Sequence, residues 1–149
     1  MELKRRLFEA CSLYVDQKLN SLEEFMNANR QALEQESKSS AGDKHETGRA
    51  MLHLEMEKAA QQFEAVSAMK ILLAKIDPAS ISEKARLGSL VRTDQVSYYI
   101  SISAGPITAG EELYYAVSPA SPAGKSLLGA VVGDEVRIGP RSLKILSVR

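Results

Sequence analysis

Tryptophan is absent from this 149-residue chain, and cysteine occurs once, at Cys11. One cysteine excludes an internal disulfide and any cysteine-based zinc framework. Proline is missing from the first 77 residues, which hold only two glycines, Gly42 and Gly48; five prolines and seven glycines fall from Pro78 onward. No apolar run approaches the roughly 20 residues needed to span a bilayer. The N-terminal "MELKRRLFEACSLYVDQ" is basic but has no continuous apolar stretch, so no signal peptide is expected. Surplus charge is lacking too: 19 basic residues face 19 acidic ones, and residues 1–78 hold 11 basic and 13 acidic. Whole-chain attraction to nucleic acid or an anionic membrane is thereby excluded, and a polyelectrolyte partner would have to meet a local patch. The remaining composition, 44% hydrophobic and 26% charged, is that of a folded chain, expected in the cytoplasm.

What the first half does contain is periodicity. Phe8, Cys11, Val15, Leu19, Leu22, Met26, Asn29 and Leu33 recur at steps of three and four. So do Leu52, Met56, Ala59, Phe63, Val66, Met69, Leu73 and Ile76. Alternating steps of three and four, flanked by Glu, Lys, Gln and Arg, make the seam of a coiled coil. Two such stripes interrupted by one Gly-containing turn predict an antiparallel helical hairpin over residues 1–77, with its tip at about 38–48. Cys11 sits in a stripe and reads as a small buried hydrophobe. Asn29, polar in the same seam, reads as a register device. Asp77 before Pro78 predicts the end of the second helix, with 78–87 as a linker.

Residues 88–149 have a different pattern. "GSLVRTD" (88–94), "VSYYISISA" (96–104), "EELYYAVSP" (111–119), "DEVRIG" (134–139) and "RSLKILSV" (141–148) are rich in β-branched and aromatic residues between turn residues. Between them, "SPAGKSLLG" (121–129) offers Ser121 as an N-cap, Pro122 at the first helical position and Gly129 at the end. The expected fold class is α+β: a coiled-coil hairpin followed by a small antiparallel sheet domain with one short helix.

Several sites can be weighed from residue type alone. "SPAGKS" is not a phosphate loop, because the position needing glycine is Pro119, which has no amide hydrogen. His45 and His53 stand eight residues apart, about 12 Å along a helix, and read as surface histidines and not as zinc ligands. The aromatic residues of the second half are Tyr98, Tyr99, Tyr114 and Tyr115, and adjacent strand residues point to opposite faces, so an aromatic-lined isomerase pocket is not expected. That leaves "SSAGDKHETGRAM" (39–51), where Asp43 and Glu46 have capping-box spacing. The same two carboxylates could instead help bind a hard cation such as Mg²⁺, provided a partner supplies the other ligands.

The segment "VSPASPAGKSLLGAVVGDEV" (117–136) is similar to a stretch of the bacterial Gre transcript cleavage factors that runs "ISPLG-x-ALLGKKVGDEV". Ser121, Pro122, Gly124, Leu127, Leu128, Gly129, Gly133 and Asp134 stand in matching order. The tip "GDKHETGRA" (42–50) resembles the family's "GDLKENAEY" at Gly42, Asp43 and Glu46, while Lys44, Thr47, Gly48, Arg49 and Ala50 depart from it. The resemblance covers nearly the whole chain, tightly in 117–136 and loosely in the helical arms. It implies an FKBP-like C-terminal domain over 88–149 and a hairpin that enters the secondary channel of RNA polymerase. It also implies that Asp43 and Glu46 help hold a second Mg²⁺ shared with the polymerase, so that backtracked RNA is cut. Gly42, Lys44, His45, Thr47 and Arg49 would be the other tip contacts. The chain would be an accessory factor and not itself an enzyme. It would meet the RNA 3′ end only indirectly, bind free nucleic acid weakly or not at all, and touch no membrane. The alternatives are a channel-binding regulator without cleavage activity and, ranked last, a coiled-coil adaptor.

Overall fold

The computed structural model describes the backbone of residues 2–38 and 42–149, and the side chains of residues 2–36 and 46–149. Helix α1 spans Glu2–Lys38 and helix α2 spans Gly42–Ala74. Six strands and one short helix follow: β1 (Leu90–Thr93), β2 (Ser97–Ile100), β3 (Gly105–Ala109), β4 (Glu112–Val117), α3 (Pro122–Leu127), β5 (Glu135–Ile138) and β6 (Arg141–Val148). The chain forms two compact units, one of Val15–Ala68 and one of Met1–Tyr14 with Met69–Arg149.

In the helical unit the expected seam is present. Every residue of the two stripes between positions 15 and 68 is buried or half-buried, whereas Phe25, Met51 and Leu54, outside them, are exposed. Leu22 and Phe25 line a shallow groove with Ala59 and Gln62, and Gly48 lies against the Glu36 side chain. Facing positions thus have numbers adding to about 84, which is antiparallel pairing of α1 and α2. At a rise of about 1.5 Å per residue the shorter helix is about 50 Å long. Asn29 lies half-buried in this seam, and its Nδ2 is buried with no hydrogen-bond partner among the described residues. A buried unpaired amide costs about 1–3 kcal/mol. Asn29→Leu is therefore expected to raise the urea midpoint without changing its slope; a lowered midpoint would refute this reading of the seam.

α2 stops before Pro78 is reached. Lys75 and Ile76 donate to Leu72 and Leu73 at 3.1 and 3.0 Å, tightening the last turn, and Asp77 Oδ1 then accepts from the Ala79 amide at 3.0 Å. Residues 78–87 do not hang free, since Ala85 is buried and exchanges backbone hydrogen bonds with Gly129 and Ala130.

The sheet has strand order β3-β4-β2-β1-β6-β5. All pairs are antiparallel except β2–β4, which is parallel, so the sheet is mixed where a purely antiparallel one was expected. The departure arises because β3, absent from the sequence reading, pairs with β4 as a hairpin and turns β4 to run alongside β2. One face packs Val91, Tyr98, Ile100, Val136, Leu143 and Ile145 with Leu127 of α3. On the opposite face Leu90, Tyr99 and Ala116 stand in one row across β1, β2 and β4. The start of α1 joins this unit: Leu7 and Cys11 are fully buried, and Cys11 Sγ lies 3.6 Å from Ser101 Oγ. Cys11 is thus the small buried hydrophobe expected, and burial pushes its thiol's pKa up, the Ser101 contact opposing it. The tyrosines alternate as expected: Tyr98 and Tyr115 face each other with ring centroids 6.3 Å apart, while Tyr99 and Tyr114 turn to the other side. Tyr99 is fully buried, and its hydroxyl has no hydrogen-bond partner among the described residues. Tyr99→Phe should therefore stabilise the protein by roughly 1 kcal/mol, read as a higher melting temperature; a fall would show that the hydroxyl is satisfied in solution.

Candidate functional site

The hairpin end between α1 and α2 is where the sequence places its two candidate carboxylates. Positions 39–41 lie outside the described residues, as do the side chains of Asp43, Lys44 and His45. The backbone of α2 is nevertheless helical from Gly42, so position 43 falls inside the first turn and not at an N-cap. The capping-box reading needs a non-helical residue 43, and the helix begins too early for it. Packing along the seam continues back to Gly48 against Glu36, and helix extent follows such packing more than it follows caps. Positions 43 and 46, three apart in a helix, are neighbours on its surface.

Glu46, Thr47 and Arg49 are exposed. A methyl group built on Gly48 would lie 3.4 Å from Glu36 Oε1, ordinary contact, so glycine is not demanded there by space. Instead, Gly48 weakens this part of α2 by up to about 1 kcal/mol relative to alanine. His53 is exposed on the same helix. Among the described residues no three His, Cys, Asp or Glu side chains converge as a metal site.

The residues of 117–136 that carry the family resemblance turn out to serve the fold. Ser121 is the N-cap of α3: its Oγ accepts from the Gly124 amide at 3.0 Å and donates to Ser118 O at 2.7 Å. Pro122 occupies the first turn. Leu127 is fully buried, and Gly129 and Gly133 have φ of +82° and +93°. Asp134 Oδ2 accepts from the Val131 amide at 2.9 Å. Gly124-Lys125-Ser126 lie inside α3 and form no phosphate loop. Leu128 is the exception, 43% exposed with Val132 nearby at 61%.

Two groupings escaped the sequence reading. Arg92 donates to the Tyr114 hydroxyl at 3.1 Å and pairs with Glu112 at 3.3 Å, and the Tyr114 hydroxyl also donates to Glu112. This is a partly exposed surface pair, worth little to stability. The other is a pocket of about 320 Å³ lined by Lys4, Lys75, Asp77, Ser80, Arg86 and Ser89, among others. Its signal was available: Lys4 precedes Cys11 by seven residues, in phase with the apolar stripe, where a lysine is out of place.

No family profile matches the chain, and no curated protein matches it. No helix among the described residues is long and apolar enough to cross a membrane. Among solved structures, the chain is similar to GreA factor homolog 1 (Gfh1) of Thermus thermophilus, with 19% identity over 95% of this chain and 94% of that one, at a TM-score of 0.36. It is also similar to a structure of the transcription factor Gfh1, with 20% identity over 95% of this chain and 92% of that one, at a TM-score of 0.38. At that identity the likeness concerns the fold alone.

Proposed function

We propose that this protein is a Gre-type accessory factor of RNA polymerase, acting through the polymerase's secondary channel to promote cleavage of backtracked RNA. The observation that carries the reading is a helical pair about 50 Å long whose α2 begins with the Gly42–Asp43–Glu46 pattern, Glu46 being exposed. Glu46 is exposed near the start of α2, so its carboxylate is available to a partner. Two carboxylates leave a hard cation short of its octahedron, which suits a metal completed by polymerase and RNA oxygens. Such a metal, when bound, supplies activation of water and stabilisation of the leaving oxygen in phosphodiester hydrolysis. Asp43 and Glu46 would hold it from the factor's side, and the factor would have no enzyme activity alone. The working place of such a factor is the cytoplasm.

A second reading, a channel-binding regulator without cleavage activity, is favoured by one observation. Lys44 and Arg49 replace an apolar and an acidic residue of the Gre pattern, which lowers the negative charge near Asp43 and Glu46. Stalled, backtracked complexes separate the two. Added protein should release short 3′ RNA fragments and compete with a known channel factor under the first reading. Competition without RNA shortening leaves only the second, and no competition refutes both.

A further inference from the structure

We propose that the pocket between the start of α1 and the loop after α2 binds a doubly charged oxyanion: the phosphoryl group of a small molecule, or free phosphate. The lining is rich in cations and hydrogen-bond donors. Lys4, Lys75 and Arg86 face it with Asp77 as the sole acid in the lining. Lys4 is only 2% exposed, and its ammonium donates to Ser80 O at 2.6 Å. No carboxylate among the described residues lies within ion-pair distance of Lys4 Nζ. An ammonium carries three N–H groups, so two remain for another acceptor. Burying a cation without a paired anion costs several kcal/mol, and a bound anion would offset that cost.

The neighbouring groups add to the donor surplus. Arg86 Nη2 donates to Ser80 Oγ at 2.5 Å, which holds the guanidinium at the rim and leaves the Ser80 hydroxyl hydrogen uncommitted. Ser89 is buried, and its Oγ accepts from the Arg86 amide at 3.0 Å, so its hydrogen is also free to donate. Burial first, and then the Arg86 charge, lower the Lys4 pKa, with Asp77 opposing them. A bound dianion would act against both by supplying an opposite charge beside the ammonium. The volume, about 320 Å³, sits at the low end of small-molecule sites, which run from about 300 to 1,000 Å³. It admits a phosphate monoester as well as the bare ion.

The experiment is calorimetric titration of the full-length protein, without polymerase, with inorganic phosphate and separately with glycerol 3-phosphate. Potassium chloride at matched ionic strength is the control. One saturable site per chain is expected. Lys75→Gln and Arg86→Gln alter exposed side chains and should each weaken binding about tenfold, the loss of one charge-assisted hydrogen bond. Lys125→Gln, in α3 outside the pocket, should leave it unchanged. Binding of free phosphate, or of the ester alone, supports the site and names its source. Heats no larger than chloride gives, or equal binding by wild type and both pocket variants, overturn it. Lys4→Met should abolish binding, and the exposed variants keep the test decisive if that protein does not fold.

Discussion

Replacing Asp43 and Glu46 together by alanine is expected to cut stimulated release of 3′ RNA by about 100-fold, the scale on which metal sites respond to lost ligand support. Binding to polymerase, measured by competition with another channel factor, should change little, because the arm and its seam are untouched. A structural role for the same carboxylates would leave another signature. Acids near a helix N-terminus contribute about 0.3–1 kcal/mol each, so the double variant would lose at most about 2 kcal/mol of stability with cleavage intact. Asp43→Asn with Glu46→Gln sharpens the distinction, since it keeps side-chain shape and removes the charge a cation needs. Equal cleavage rates for wild type and both double variants would end the cleavage reading, while a folded, competing and inactive variant would sustain it.

Gly124→Ala should produce the largest loss of stability. The added Cβ would stand 1.9 Å from Ser118 O and 2.8 Å from Ser118 C, both backbone atoms. Neither can rotate away, so either α3 or the Ser118–Pro119 turn must shift by more than an ångström. Overpacking of well-fitted sites costs about 1–3 kcal/mol and occasionally more, and a backbone clash belongs at the upper end. The helix-propensity gain of alanine over glycine, about 1 kcal/mol, acts in the opposite direction and is too small to win. The net expectation is a loss of about 2–3 kcal/mol, lowering the melting temperature by roughly 6–10 °C. Gly129→Ala is the comparison, since a Cβ there meets nothing within 4 Å and suffers only from φ of +82°. Its cost should be about 1–2 kcal/mol. If Gly124→Ala melts with wild type, or Gly129→Ala is the worse of the two, the close approach at Ser118 is not what requires glycine.

Ser121, Gly124, Leu127, Gly133 and Asp134 answer to capping, clearance, core and turn geometry. A match on such residues argues for a shared way of folding. The functional weight therefore rests on the shorter tip, where Gly42, Asp43 and Glu46 match and Lys44, Thr47, Gly48, Arg49 and Ala50 do not.

From its order of residues alone, the chain determines two helices with a common seam, because apolar side chains every three to four positions can be buried together only on helices. It determines the short helix as well, since Ser121 and Pro122 act within one turn of where they stand. Five strands are legible from their β-branched runs. The sixth, β3, was not: "GPITA" contains glycine and proline and has no fully buried residue, because it lies at the sheet edge where proline is tolerated. Only the tertiary structure decided that β4 runs parallel to β2, and that Lys4 meets Lys75 and Arg86 around one pocket. Periodicity and capping act over a few residues and leave their mark in local sequence. Strand order and the meeting of residues 4 and 86 depend on how distant segments share one core, which no local pattern encodes.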